Sequence, residues 1–168
     1  MLLNFLLVAS LLSSASSVPV AAPQEDPAPF PDDGIYRWKV TGWDAECSAS
    51  GCFYQFTLTG FEFKGAGGSF ARPFKAFCKA DEATSLNFTA CELRDSGDST
   101  RKVTARITSL PRSGVKNVQI QASYEFLDTS TLRQFSSTGT EATIDFNLAT
   151  NPNAPRSFNI DNIIEETK

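Results

Sequence analysis

Carboxylate side chains are the first candidates for chemistry in this chain, because it contains no histidine. The absence of histidine excludes Ser-His-Asp and Cys-His nucleophilic catalysis and histidine-based proton transfer. Two carboxylates alone can still hydrolyse a glycosidic bond. The candidates for such a pair are Glu62, Glu92, Glu125, Glu141 and Asp145. Carboxylates on the wet face of a strand ordinarily serve solubility, so we predict a non-enzymatic protein and keep a weak glycosidase as the alternative.

Four cysteines form the second group of reactive side chains. Cys47 and Cys52 flank a small, flexible tetrapeptide, whereas Cys78 and Cys91 enclose twelve residues. Four cysteines allow three pairings, and these spacings favour two local disulfides over crossed ones. Closing the larger loop stabilises the fold by roughly 3 kcal/mol in the loop-entropy model. The spacing is not a zinc pattern, so we predict no metal and no cofactor. With both bonds made, no thiol remains for a covalent dimer, and the oligomeric state stays open.

Trp43 is the candidate for ligand contact. It breaks the alternation of Trp38 and Val40 and falls shortly before Cys47, which predicts a loop position. An exposed tryptophan can stack on a sugar ring or anchor a protein partner. The alternative interpretation is that its ring caps the core beside the Cys47–Cys52 loop.

Asn87 is a candidate glycosylation site, because Asn87-Phe88-Thr89 is an acceptor sequon. It lies in the stretch Ser69–Cys91, which has the pattern of a hairpin stapled by Cys78 and Cys91. A glycan requires the asparagine side chain to face water. In an alternating strand this places Leu86 and Phe88 inward.

The amino terminus predicts export. Residues 1–17 combine a short apolar run with small residues, as in a secretory signal peptide. Residues 18–33 contain five prolines and four acids, which is typical of an extended linker or pro-segment. Residues 34–168 then form a single secreted domain. The four acids of the linker account for the net charge of −4, so we expect neither nucleic acid nor a membrane as partner.

Alternation with a period of two dominates the domain and predicts an all-β antiparallel barrel or sandwich. Gly60, at a change of phase, predicts a β-bulge. Turn sequences lie at 65–68, 95–98 and 111–114, and Asn159–Glu166 fits either a short helix or an edge strand. The alternating apolar positions are Tyr36, Trp38, Val40; Tyr54, Phe56, Leu58; Val103, Ala105, Ile107; Val118, Ile120, Ala122, Tyr124, Phe126; and Ala142, Ile144, Phe146, Leu148.

Three segments resemble the small fungal secreted β-barrels typified by the major allergen of Alternaria: Tyr36–Val40, Tyr54–Leu58, and Phe77–Ala80 continuing to Phe88 and Cys91. The resemblance implies a β-barrel and a role as allergen, elicitor or effector at the plant surface. It also implies flavonoid-type ligands or defence proteins as partners, with no settled enzymatic activity. The chain lacks the C-terminal cysteine pair and the unpaired cysteine of the typical member, so no ligand residues are carried over.

Together these observations predict a secreted, non-enzymatic binding protein that engages a host protein or a small apolar ligand. The apolar ligand is considered because thirteen of the fourteen phenylalanines lie after the signal peptide, and a surplus beyond the core could line a barrel cavity. Ordinary core packing is the simpler interpretation of these rings. The alternative function is a cell-wall carbohydrate-binding module.

Overall fold

The computed structural model describes residues 35–48, 51–64, 70–81, 84–95, 99–108, 117–145 and 156–167. The predicted signal peptide (1–17), the proline-rich segment (18–33) and the turn tips at 65–68, 96–98 and 111–114 lie outside these ranges. No helix that is long and apolar enough to span a membrane occurs among the described residues.

The described chain is all-β and forms two five-stranded antiparallel sheets, which confirms the predicted fold class. The first sheet has the order β11-β1-β2-β5-β7 and the second β12-β10-β9-β8-β6, with β3 and β4 forming a separate ribbon. The strands are β1 Trp38–Ser48, β2 Gly51–Gly60, β3 Phe63–Lys64, β4 Phe70–Ala71, β5 Phe74–Asp81, β6 Thr89–Ala90, β7 Glu92–Leu93, β8 Lys102–Ile107, β9 Asn117–Asp128, β10 Arg133–Asp145, β11 Phe158–Ile160 and β12 Asn162–Thr167.

Two of the passages between the sheets are sharp corners made by a single residue. Cys91 lies between β6 of the second sheet and β7 of the first, and Asp161 lies between β11 and β12. The two sheets remain separate and are not closed into a barrel. Of the two predicted architectures, the structure is therefore the sandwich.

The space between the sheets is filled by aromatic and branched side chains. Most inward positions follow the predicted alternation, because every second residue of a strand points to the same face. A ring contact joins the two sheets, because the centroids of Phe74 in β5 and Tyr124 in β9 are 4.1 Å apart; within the first sheet, Trp38 lies edge-on to Phe74 at 5.6 Å. The Tyr54 hydroxyl donates to the carbonyl of Ala105 across the sandwich at 3.3 Å. The described phenylalanines thus serve mainly as core, as the simpler interpretation predicted.

Trp43 lies in this core, and its assignment to an exposed loop is wrong. Its side chain has no exposed surface, and its backbone N–H donates to the carbonyl of Arg156 at 2.9 Å. The reason is a bulge in β1: the register with β2 shifts between Thr41 and Asp44, where Gly42 has a φ of +63°. The extra residue reverses the phase of the strand, so that an odd-numbered tryptophan points inward like Trp38. The alternative interpretation, a tryptophan that belongs to the core, is correct.

The bulge predicted at Gly60 is also wrong. Gly60 pairs in regular register with Trp38 on one side and Phe74 on the other. A glycine is required there for space, because an added Cβ would lie 2.3 Å from Cε1 of Phe74.

The stretch Ser69–Cys91 is not a simple hairpin. The strand β5 pairs with β2 and β7, whereas the returning residues Thr89 and Ala90 pair with β8 in the other sheet. The described residues between these strands, 84–88, form a turn instead of a strand, so period-two alternation does not apply there. Leu86 and Phe88 are accordingly 41% and 43% exposed, which corrects the expectation that they point inward.

The carboxyl-terminal segment is extended. Residues 158–160 and 162–167 form β11 and β12, so the edge-strand interpretation of Asn159–Glu166 is correct and the helix is wrong. Strand β10 begins at Arg133, well before the predicted run that starts at Ala142. Its first half is rich in serine and threonine and has too few apolar residues to show the alternation by which a strand is predicted.

All three tyrosines of the chain are buried, which predicts a distinctive alkaline titration. Burial raises the pKa of Tyr54 and of Tyr124 to about 12, and that of Tyr36 further. The native state therefore binds more protons than the unfolded state above about pH 10, so stability falls as the pH rises through that range. We expect phenolate absorbance to stay low at about pH 10–11 and then to rise together with unfolding. Phenolate signal near pH 10 with an intact far-ultraviolet spectrum would contradict this core.

Candidate interaction surface

The outer face of the second sheet carries a concavity of about 500 Å³. It crosses four neighbouring strands, from β6 through β8 and β9 to β10, and we call it the trough. Its lining combines small hydroxyl-bearing side chains, one aromatic ring and one pair of opposite charges. The lining residues are Phe88, Ala90, Lys102, Thr104, Ser123, Glu125, Ser136 and Thr138.

Register explains the shape of the trough. One cross-strand row contains Ala90, Thr104, Ser123 and Thr138, which are direct partners across β6, β8, β9 and β10. Side chains directly opposite each other on one face lie about 5 Å apart, so a row of short side chains makes a groove across the sheet. The adjacent row, Lys102, Glu125 and Ser136, supplies both signs of charge on one flank.

Phe88 forms the other flank and is supported by Arg106. The guanidinium of Arg106 lies over the Phe88 ring, 4.5 Å from its centroid. Arg106 is itself held by its Nε–H, which donates to Oε1 of Gln121 at 2.8 Å. The ring is therefore supported on the sheet surface while a large part of it faces solvent.

The turn that carries Phe88 is fixed at both ends. The Cys78–Cys91 disulfide ties β5 to the corner between β6 and β7, as predicted. At the start of the turn, Oδ1 of Asp81 accepts from the backbone N–H and the hydroxyl of Thr84, at 3.1 and 2.9 Å. The N–H of Ile107 donates to the carbonyl of Ser85 at 2.8 Å and joins the turn to β8.

A charge pair fixes the connection into β8, the strand that carries Lys102 and Thr104. Arg101 is bound to both oxygens of Asp95 at 2.8 Å and donates to the carbonyl of Pro73 at 2.9 Å. Oδ2 of Asp95 also accepts from the N–H of Lys75 at 3.2 Å. Partial burial raises the pKa of Asp95, but hydrogen bonds from and attraction to Arg101 outweigh it, so the pKa lies below its ordinary value.

Replacement of Asp95 by asparagine should lower the free energy of unfolding by about 2 kcal/mol at neutral pH, because Arg101 is nearly buried and loses its charged acceptor. The folded pKa of Asp95 is depressed, so this stability is present above the unfolded value of about 3.9 and is lost as the pH falls. The gap between wild type and Asp95→Asn in urea unfolding should therefore close as the pH is lowered towards 2. A gap that is independent of pH would contradict the pairing.

Of the carboxylates proposed for glycoside hydrolysis, the three whose side chains the structure describes, Glu62, Glu92 and Glu125, are not brought together. Glu92 belongs to the first sheet and is paired with Arg94 at 2.8 Å, and Glu62 is paired with Lys64 at 3.0 Å. Glu125 stands alone among them in the trough, on the outer face of the second sheet. Glu141 and Asp145 belong to β10, but their side chains lie outside the described part of the structure. The described residues also contain no cluster of three or more metal-ligating side chains.

The trough is the feature that the sequence analysis missed. The wet positions Thr104 and Ser123 alternate with apolar ones in β8 and β9. Ser136 and Thr138 belong to the first half of β10, which lies outside the strands that the hydrophobic pattern predicts. The available signal was the unbroken run of short hydroxyl residues Ser136-Ser137-Thr138. A second concavity of about 350 Å³ lies at the end of the first sheet, lined in part by Phe53, Lys79 and Asp81.

The remaining predicted site residues lie apart from the trough or beside it. The Cys47–Cys52 disulfide is formed and closes the β1–β2 hairpin far along the first sheet. Asn87 is exposed and immediately precedes Phe88.

No family model, no curated protein and no solved structure matches this chain. The resemblance to the fungal β-barrels therefore stays a prediction.

Proposed function

We propose that this chain is a secreted, non-enzymatic binding protein of effector or allergen type, which contacts a protein partner through the trough. The observation that supports this most is the trough itself: a preformed groove on an open sheet face. Both disulfides are compatible with secretion. On this proposal, the protein acts by binding a partner and not by catalysing a reaction.

The chemistry of the trough favours a protein as the partner. Its floor offers hydroxyl groups that both donate and accept hydrogen bonds, and its flanks offer Lys102, Glu125 and the Phe88 ring. An aromatic side chain next to polar groups of both charge signs is typical of protein interfaces. A small apolar ligand fits less well, because aromatic side chains occupy the space between the sheets.

A capture experiment with a matched pair of variants tests this proposal. Thr104→Tyr fills the middle of the trough, whereas Thr57→Tyr places the same side chain on the outer face of the first sheet. Tyrosine is favoured in strands, so both variants should fold. We expect a protein from leaf intercellular fluid to be retained by wild type and Thr57→Tyr, and at least about tenfold less by Thr104→Tyr, a loss of about 1.4 kcal/mol. Equal retention by the two variants would reject the trough as the contact surface.

One observation favours a second candidate function, carbohydrate binding. The supported Phe88 ring lies beside a floor of hydroxyl groups, and a sugar can stack on such a ring. Retention on chitin, glucan or cellulose that is abolished by Phe88→Ala would support this candidate. Trp43→Ala is not a useful variant for the purpose, because Trp43 is entirely buried.

A further inference from the structure

The turn after β5 exposes three consecutive side chains, two of which are apolar. Leu86 and Phe88 are 41% and 43% exposed, and Asn87 between them is exposed as well. Leu86 and Phe88 are two of only six large hydrophobic residues that are exposed in the described part of the chain. Leu86 and Phe88 together expose apolar surface to water, and a group that covers this surface would be stabilising.

Asn87 is presented for modification. It occupies the acceptor position of a sequon completed by Thr89, and its own N–H donates to the carbonyl of Thr84 at 3.0 Å. The Thr89 hydroxyl donates to the same carbonyl at 3.2 Å. The turn is thus closed by internal hydrogen bonds, which leaves the asparagine side chain at the surface. N-linked glycans belong to surface positions of secreted proteins, and disulfides belong to the same export route.

Phe88 offers a platform for the first sugar of such a glycan. Because the Arg106 guanidinium lies over one face of the ring at 4.5 Å, a sugar can stack only on the other face or lie against the edge. Consecutive Cα atoms are about 3.8 Å apart, so a sugar on Asn87 is within reach of the neighbouring ring. The apolar face of a pyranose stacks on an aromatic ring in the same way as another flat apolar group does.

We propose that Asn87 carries an N-linked glycan whose first N-acetylglucosamine packs on Phe88 and shields Leu86. The glycan then forms the wall of the trough at its β6 end. The sugar covers one face of the Phe88 ring, whose edge stays open for the partner together with the row of Lys102, Glu125 and Ser136. This role as a wall rests on the proposed function, whereas the modification and its packing do not.

The modification is tested on the full chain secreted from yeast cells. Treatment with peptide N-glycosidase in heavy-oxygen water converts a glycosylated asparagine into labelled aspartate, which peptide mass spectrometry locates. We expect the label at position 87 in most molecules and a single, sugar-free mass for the secreted Asn87→Gln variant. Unmodified Asn87 in the secreted wild-type protein would overturn the proposal and leave a partner protein as the cover of this patch.

The packing is tested by thermal unfolding of three glycoforms: the full glycan, the single N-acetylglucosamine left by endoglycosidase H, and the sugar-free protein. We expect the first two to unfold at the same temperature and the sugar-free form about 3 °C lower. In Phe88→Ala all three forms should unfold at one temperature. A drop of the same size in Phe88→Ala, or no drop in wild type, would overturn the contact. Neither measurement involves a partner, so failure here is distinct from failure of the proposed function.

Discussion

Replacement of Trp43 by alanine is expected to destabilise the protein by about 3–5 kcal/mol. The indole is completely buried and, among the described residues, packs against the rings of Tyr54 at 6.0 Å, Phe56 at 5.6 Å and Phe158 at 6.1 Å between centroids. Its removal leaves a cavity where β1, β2 and β11 meet, and the surrounding rings cannot collapse into it without leaving their own sites. Since native stability is typically about 5–15 kcal/mol, urea unfolding should show a much lower midpoint.

Phe53→Ala is the matched control, because Phe53 lies in the same hairpin but is 40% exposed. It should cost less than about 1 kcal/mol. If Trp43→Ala were as mild as Phe53→Ala, Trp43 would have to be a surface residue in an irregular loop. That result would restore the original loop assignment and contradict the bulge at Gly42.

Removal of the Cys78–Cys91 disulfide, by Cys78→Ala together with Cys91→Ala, is expected to cost about 3 kcal/mol. The bond joins β5 to the corner at which the chain crosses between the sheets. Without the disulfide, the residues of the enclosed loop have more conformational entropy in the unfolded state, which lowers the stability of the native state. The corner then depends on few backbone contacts, chiefly the N–H of Cys91, which donates to the carbonyl of Val103 at 2.9 Å.

The other disulfide provides the comparison for this prediction. Cys47 and Cys52 are direct partners at the end of the β1–β2 hairpin, and their loop is shorter, so Cys47→Ala with Cys52→Ala should cost only about 2 kcal/mol. Unfolding by urea under non-reducing conditions measures both. The reverse order of the two losses would contradict the role of Cys78–Cys91 as the tie at the corner between the sheets.

The faces of the individual strands were predictable from the sequence, because they follow from local geometry. Tyr54, Phe56 and Leu58 point inward for the simple reason that alternate side chains share a face. The prediction failed at Trp43, because a single inserted residue at Gly42 reverses the phase. Nothing in the local sequence distinguishes Gly42, which lies at a bulge, from Gly60, which lies in regular register. A glycine is required at position 60 because the Phe74 ring approaches the backbone closely.

The pairing of the strands and the trough were not predictable in the same way. The returning arm at Thr89 pairs with β8 instead of β5, a choice made by contacts distant in sequence. The trough needs Thr104, Ser123 and Thr138 side by side, and this depends on the register of three strands. A strand rich in serine and threonine, such as the first half of β10, carries little hydrophobic signal. Its pairing with β9 was therefore not predictable from the hydrophobic pattern.

The measurement that tests the central claim most directly is the response of plant leaves to purified wild type, Thr104→Tyr and Thr57→Tyr at equal concentration. Cell death or induction of defence markers is scored. If the protein acts by contact through the trough, wild type and Thr57→Tyr should give the same response and Thr104→Tyr should give none. Equal responses to all three folded proteins would contradict a function that resides in the outer face of the second sheet.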